Sequence, residues 1–495
     1  MKKQLKKQLT IISSLARDFD INIYLVGGFI RDALLGLHSN DLDFLVFGNA
    51  ETLAHVFANK VRGAFVVLDE KEKSFRVVKG EISFDFTANR MDTLKKDLNA
   101  RDFTVNAFAV SLEDFLLELE KEDKIGIFIE KLLIDETGGL SDLKNKMVRV
   151  ISEEAFIADP LRLLRAFRIA ARYQFKIKDS TLDLIRKHKK LIHQSAGERL
   201  HEELNKIFSY SNTFEYILLM DSFGVFGEIF VATELMKKHN EYYFHKLGLW
   251  GHSIEVLYCF EFLVNNLEKL FNKKETELFN SLKPDIYKLK IACLFHDFGK
   301  PDTFSNIDGK IHFIKHDSIG AAKVTRMLKD MKFTKKEIKF ISGIALFHMQ
   351  VGSLAKIENI TDKACFRFFK RTENLALPLI LFTLSDWLAS IRGVNKLDFS
   401  QGISFQEFSY KDFLQCMKSM KILLKWYFKK LNENTVELLL NGHDLMNRYD
   451  LKPSKFLGEI LADLEEAQMT DKVKTKEQAY IFVEHFLENK KNKIQ

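Results

Sequence analysis

The chain has 495 residues, 46% hydrophobic and 29% charged, a composition that reads as an ordinary soluble globular protein with room for three or four domains. Its four cysteines, Cys259, Cys293, Cys365 and Cys416, show no CxxC spacing, which argues against a disulfide framework and a zinc-thiolate site and suits a reducing cytoplasm. A net charge of +7 and a pI near 8.8 favour a polyanionic partner such as nucleic acid.

The start, MKKQLKKQLTIISSLARDFD, is basic, but Leu5, Leu9 and Ile12 recur at helical spacing, predicting an amphipathic surface helix rather than a leader. The first ~150 residues then mix helices with short β-type runs, NIYLVGG, DLDFLVF and SFRVVKGEISFDF, and nearly everything afterwards has helical periodicity. The expected class is α+β, an α/β head followed by an all-α body. The most apolar interior run, LALPLILFTL from Leu375 to Leu384, is about half the ~20 residues a membrane span needs and contains Pro378. A buried core helix is expected there, and no membrane partner.

Chemistry first gathers in YLVGGFIRDALLGLHSNDLDFLVFG, residues 24 to 48. NIYLV reads as a strand, Gly27 and Gly28 as a tight turn with exposed N–H groups, and IRDALLG as a helix whose positive end faces that turn, a cradle for phosphate. Arg31 can add a charged fork, and Gly36 ends the helix. Asp41 and Asp43, two apart on a strand, project from one face, as a pair of magnesium ions would require.

The order and spacing resemble the signature GGxVRDxLLGxxxxDxD of the nucleotidyltransferase superfamily, in its tRNA CCA-adding and bacterial poly(A) polymerase form; Phe29-Ile30 stand where that form has x-Val. Further stretches follow in the same order. RDFTVNAFA, from Arg101, resembles RRDFTINA with Ala100 in place of the first arginine, and implies that Arg101 and Asp102 hold the incoming ribose and nucleotide. GGLSDLKNKMVRV resembles the family's flexible-loop region, preceded by a long segment, FLLELEKEDKIGIFIEKLL. ERLHEELNKIF, from Glu198, resembles a neck element. The resemblance covers about residues 20 to 210.

DPLRLLRAFRIAARYQF reads as a helix on which Asp159, Arg162, Arg165 and Arg168 share one side, opposite Leu161, Leu164 and Phe167, with Asp159 as its cap and Pro160 at its first position. By resemblance it is the template helix. A carboxylate accepts from an exocyclic amine and a guanidinium donates to ring acceptors, a pairing that admits cytosine and adenine and rejects uracil and guanine. The family pattern is EDxxR; here Ala158 replaces the glutamate.

In the second half His252, the pair His296-Asp297 in LFHDFGKP, His316, His348 and Asp386 lie on mostly apolar helical segments. The set resembles the HD phosphohydrolase superfamily, whose H…HD…D residues bind a divalent metal; imidazole with carboxylate suits manganese, nickel, iron or cobalt. His316 and His348 are candidates for a second ion or for positioning phosphate. Leu438–Ala479 resembles the C-terminal element of long bacterial CCA-adding enzymes with a fused HD domain.

These readings lead to four expected domains: a nucleotidyltransferase head, 1–150; a helical neck with the template helix, 151–240; an HD domain, 241–400; and a C-terminal helical RNA-binding region, 401–495. The expected enzyme is cytoplasmic and adds C, C and A to tRNA 3′ ends from CTP and ATP, gripping the acceptor arm through phosphates and shape. Asp41 and Asp43 would hold Mg2+, with Asp85 as a candidate third carboxylate; Gly27, Gly28, Arg31, Arg101, Asp102, Asp159, Arg162, Arg165 and Arg168 would bind nucleotide. The HD residues would add hydrolysis of 2′,3′-cyclic phosphates. The alternatives are a poly(A) polymerase, a partial CC- or A-adding enzyme, and an HD phosphohydrolase whose head merely binds RNA.

Overall fold

The computed structural model describes residues 2–121, 125–239, 248–357, 359–395, 397, 399–430 and 438–491, and the chain divides into two compact units, Met1–Ile229 and Phe230–Gln495. In the first unit, helix α1 (Lys2–Asp18) buries Leu9, Ile12 and Leu15 and leaves Lys7 exposed, as its spacing predicts. There follow β1 (Asn22–Val26), α2 (Gly28–Leu34), β2 (Asp41–Phe47), α3 (Ala50–Val61), β3 (Ala64–Asp69), β4 (Ser74–Lys79), β5 (Ile82–Ala88) and β6 (Phe108–Ser111). Helices α4 (Leu112–Lys121) and α5 (Ile125–Leu132) and strand β7 (Ile134–Asp135) complete the sheet, ordered β3-β4-β5-β2-β1-β6-β7. Every neighbouring pair in it is antiparallel except β2 and β5, which run parallel.

Alternation along β2 separates core from chemistry. Leu42, Phe44 and Val46 are buried on the face covered by α3, where Phe44 stacks on Phe86 at 5.0 Å between ring centroids and Phe57 meets Phe84 edge-on at 5.1 Å. Asp41 and Asp43 therefore share the other face. The long segment before the expected flexible loop folds into α4 and α5, with residues 122–124 outside the described residues. A Cβ on Gly126 would lie 2.7 Å from the Ala33 carbonyl, so a glycine is what lets α5 rest directly on α2.

The stretch resembling a flexible loop has regular secondary structure. It forms the helix Gly139–Lys144 and strand β8 (Met147–Val148), which pairs in parallel with β9 (Lys176–Ile177). A Cβ on Gly139 would come within 2.1 Å of the Thr104 carbonyl, and Asp142 binds both Thr104 Oγ1 and Arg149 Nε. Between β8 and β9 runs helix α6 (Arg162–Tyr173), packed on α7 (Gly197–Ser209), with Leu161, Leu164 and Phe167 buried. The expected cap is corrected: α6 begins at Arg162, beyond Pro160, and Asp159 lies in extended backbone ahead of it.

The second unit is built on α8 (Gly248–Asn265), α9 (Ile286–Phe295), α10 (His316–Asp330), α11 (Lys335–Ala355), α12 (Ala376–Val394) and α13 (Lys411–Lys430). Helix α8 packs on α9 and α12, and α11 on α9, α10, α12 and α13. Fully buried Arg392 donates to Glu255 at 2.6 Å and Glu407 at 2.7 Å, satisfying a charge the core would otherwise reject. This half is not purely helical: β10 (Phe304–Ile307) and β11 (Lys310–Phe313) form a hairpin across Asp308-Gly309, both at positive φ, the dipeptide such a two-residue turn requires.

The length argument at Leu375–Leu384 also needs correction, because the run continues as the 19-residue α12. By length and composition α11 and the Asp362–Val394 stretch are apolar enough to cross a membrane; 67% of the second one's apolar window is buried inside the protein. Burial rather than length marks it as core. Toward the C-terminus Leu445, Leu457, Ile460, Leu464 and Val483 form a separate small core among the helices Gly442–Tyr449, Lys455–Met469 and Lys476–Lys491.

Candidate active sites

One cavity of 570 Å³ in the first unit gathers most of the residues singled out in its sequence. Gly27, Gly28, Arg31, Asp41, Asp43, Asp85, Arg101 and Asp102 line it together with Arg162, Arg165 and Arg168 of α6. Parallel pairing sets Asp43 directly beside Asp85. Burial, then the Asp85 charge, pushes the Asp43 carboxyl up to about 6 against the pull of Arg101. A carboxylate raised by its acidic neighbours gains from a divalent cation, so this donor set fits magnesium. Asp85 is not idle: both its oxygens accept from Arg76, at 2.7 Å each. Asp41 accepts from Ser83 Oγ.

Two expectations change at the glycine turn. The Gly27 N–H is not exposed for phosphate but donates to the Phe108 carbonyl at 3.1 Å, while its φ of +72° makes the turn a glycine position. Arg31 is buried and held from within the protein, donating to Asp32 at 2.7 and 2.9 Å and to Asn106 Oδ1, with Tyr173 OH beside it. Its guanidinium lines the cavity as part of a network, not as a loose fork.

Asp102 is likewise buried. Its Oδ1 accepts from the Phe103 N–H at 2.8 Å and from Asn106 at 3.1 Å, and its Oδ2 lies 2.6 Å from Arg165. Burial works to raise its pKa, but the adjacent Arg165 and these donors outweigh it and hold the carboxyl below the usual range. Arg168 pairs with Glu203 at 3.0 Å, and Arg172 with Asp32 at 3.0 Å. Asp159 is set apart: it does not line the cavity, and its Oδ2 accepts from Arg199 at 2.9 Å. Arg76, Asn106, Arg172 and Tyr173 were missed in the sequence. Arg172 could have been found from its place four residues after Arg168.

In the second unit His252, His296, Asp297, His316, His348 and Asp386 converge from α8, the end of α9, α10, α11 and α12. His252 Nε2 lies 3.0 Å from Asp386 Oδ1, and His296 Nε2 lies 3.2 Å from Asp297 Oδ2 and 3.8 Å from Asp386 Oδ1. His296 Nε2 is buried with no hydrogen bond, the sort of orphaned donor atom that a metal would satisfy. Burial works to raise the Asp386 pKa, but the bond from His252 and the neighbouring His296 bring the carboxyl down to about 2. Lys300 Nζ is 2.5 Å from Asp297 Oδ2. A pocket of 720 Å³ lined by His348, Asp386, Trp387, Lys356 and Lys411 adjoins these ligands.

Four family models match the chain: the poly A polymerase head domain over residues 23–149, the probable RNA- and SrmB-binding site of polymerase A over 174–236, the HD domain over 249–391, and tRNA nucleotidyltransferase domain 2 over 400–483. A CC-adding tRNA nucleotidyltransferase of Geobacter sulfurreducens is 40% identical over 46% of this chain and 49% of its own length, so that match spans about half of the relative. An A-adding tRNA nucleotidyltransferase of Deinococcus radiodurans is 28% identical over 94% of this chain and 95% of its own. The fold is shared with the Thermotoga maritima CCA-adding enzyme complexed with tRNA-CCA, at a TM-score of 0.61 and 21% identity over 97% of this chain and 94% of that one. A poly A polymerase head and an HD domain both imply dependence on divalent metal. These four segments follow one another along the chain, which so carries a poly A polymerase head domain, an RNA-binding segment of polymerase A, an HD domain and a tRNA nucleotidyltransferase domain 2 in one polypeptide.

Proposed function

We propose that the chain adds C, C and A to tRNA 3′ ends from CTP and ATP, releasing pyrophosphate. The observation that carries this reading is the single cavity in which Asp41 and Asp43 face Arg162, Arg165 and Arg168. Magnesium held by Asp41 and Asp43 would supply Lewis-acid stabilisation for attack of the tRNA 3′-hydroxyl on the α-phosphate. Asp85, locked to Arg76, sets the charge around Asp43. Arg101, half-buried and bonded to Asp97 at 3.0 Å, offers its remaining donors to the nucleotide phosphates. Arg31 and Asp102 hold the shape of the pocket, Asp102 by fixing Arg165.

Arg162 faces the incoming base, with its Nη1 steadied by the Ala155 carbonyl at 3.3 Å. Arg199 holds Asp159 where Ala158 has replaced the usual glutamate. Relatives named for adding CC or A alone make product length the deciding test: a tRNA ending before CCA, incubated with CTP, with ATP and with both. CCA-ended product from both, CC-ended product from CTP and no extension by ATP alone support full addition; a CC end that ATP cannot extend refutes it.

The four-domain division, 1–150, 151–240, 241–400 and 401–495, and a cytoplasmic location belong to the same proposal. So does a second activity, hydrolysis of 2′,3′-cyclic phosphates by the HD residues. A transition metal such as nickel, manganese, iron or cobalt on His252, His296, Asp297 and Asp386 would supply an activated water. His296→Ala with Asp297→Ala should abolish that hydrolysis while CCA addition in magnesium continues. Hydrolysis surviving in the folded double variant would remove the HD assignment.

A further inference from the structure

We propose that the groove beside the HD centre holds the 3′-terminal nucleotide of an RNA, with its base on Trp387 and the phosphate on its 5′ side between Lys356 and Lys411; this rests on reading His252, His296, Asp297 and Asp386 as a metal site that takes the terminal phosphoester. The groove follows from helical spacing. Met349, Gly352 and Lys356 recur along α11 and its cap, directly after His348, and Trp387, Ile391 and Val394 recur along α12, directly after Asp386. Both stripes line the 720 Å³ pocket, which therefore leads away from the metal ligands. The rise from Met349 to Lys356 is about 10 Å, the scale of one nucleotide.

The two ends of the groove are polar and the stretch between them is not. At the near end stand His348 and Asp386. At the far end both helices meet the start of α13: Gln415 donates to the Ala355 carbonyl at 3.3 Å, and Glu407, just ahead of α13, accepts from Arg392 of α12 at 2.8 Å. Lys356 and Lys411 are exposed at this end, against one acidic neighbour, Asp412. Along the walls Met349 is 45% and Val394 73% exposed, two large apolar side chains left open to water in one groove. Trp387 is half-buried beside them, and a Cβ on Gly352 would lie 3.1 Å from its Nε1, so a glycine is what lets the indole rest against α11.

A ligand that is anionic at both ends, with a flat aromatic group between, is a nucleotide within a strand: phosphate, base, phosphate. An indole stacks on any base, so the groove reads an RNA end and not a sequence. A phosphoester with no base would lose the middle contact, and a free mononucleotide would lose the far one.

Trp387 is also the reporter. Trp250 and Trp426 are buried, and all three tryptophans lie in the second unit, so nucleotide held in the head meets none of them. The full-length chain is titrated with the dinucleoside monophosphate ApA, with adenosine and with inorganic phosphate, following tryptophan fluorescence; ApA ends in a 3′-hydroxyl and offers the HD site no terminal phosphoester. ApA should quench saturably, adenosine should bind about tenfold more weakly, and inorganic phosphate should not quench. Trp387→Phe should remove the quenching, and Lys356→Gln with Lys411→Gln should bring ApA to the affinity of adenosine. No quenching by ApA, or quenching that persists in Trp387→Phe, would overturn the base platform. Equal affinity for ApA and adenosine would overturn the phosphate site at the lysines. Quenching by ApA in a chain that hydrolyses no cyclic phosphate would sustain the groove and remove only the activity proposed above, so the two readings fail separately.

Discussion

Asp43→Asn offers the sharpest test of how the head site stores charge. Burial and the neighbouring Asp85 hold this carboxyl at about 6, against 3.8 for an ordinary aspartate. At about 1.4 kcal/mol for each tenfold change in proton affinity, the ionised native side chain costs the head about 3 kcal/mol when no cation is bound. The sign follows from linkage. Below pH 3.8 both folded and unfolded chains carry the proton and nothing is lost. Between 3.8 and about 6 the unfolded chain releases it first, so stability falls as pH rises, and above 6 the full cost is present. Asparagine does not titrate, so the variant should gain about 3 kcal/mol on the wild type between pH 4 and 7 in EDTA. Saturating Mg2+ should stabilise the wild type and leave the variant unmoved. The chain's three tryptophans, Trp250, Trp387 and Trp426, all lie in the second unit, so fluorescence would miss the event. Amide hydrogen exchange of peptides spanning β2 and β5 reads it directly. A wild-type-to-variant difference that stays flat across that range refutes the argument.

Arg162→Ala should lose discrimination among the four nucleotides before it loses magnesium-dependent incorporation; retained preference for CTP and ATP over UTP would reject its template role. Gly299→Ala must displace the start of α10, since the new Cβ would lie 2.0 Å from the His316 carbonyl and 2.6 Å from the Gly320 nitrogen. It should destabilise the second unit by about 1–3 kcal/mol and weaken its uptake of divalent metal, seen by denaturation and metal analysis. Arg392→Met leaves Glu255 and Glu407 buried without their counter-charge and should cost about 3–5 kcal/mol in urea denaturation followed by tryptophan fluorescence.

The carboxylate pair was legible because strand alternation decides it locally: Leu42 and Phe44 demand the core, and Asp41 and Asp43 must then face away. The arginines of α6 were legible for the same kind of reason, with helical spacing in place of alternation. Asp159 broke that pattern. Pro160 follows it and favours extended backbone, here φ −142° and ψ 98°, so Asp159 leaves the helical face and meets Arg199 instead. Arg76 could not be found in sequence, because its partner Asp85 is defined by the register of β4 on β5. The hairpin at Asp308-Gly309 carried a readable turn signal, but one short pair of strands was lost among long helical patterns. His252, His296, Asp297 and Asp386 could be read in order, whereas the way Asp297 turns one oxygen to His296 and the other to His348 is a matter of side-chain geometry alone.

The one parallel pairing within the seven-stranded sheet, β2 with β5, also bears on how the head comes into being. Parallel neighbours cannot be joined by a tight turn, and here α3, β3 and β4 intervene before Asp85 arrives beside Asp43. Closing so long a loop is an entropic toll met late on the route to the native state, as for other contacts of large sequence separation. The facing arginines come from α6, further along the chain still. Ligands of this cavity are expected to act on the finished head rather than on its folding transition state, so magnesium and nucleotide should lengthen its folded lifetime while leaving its refolding rate where it was.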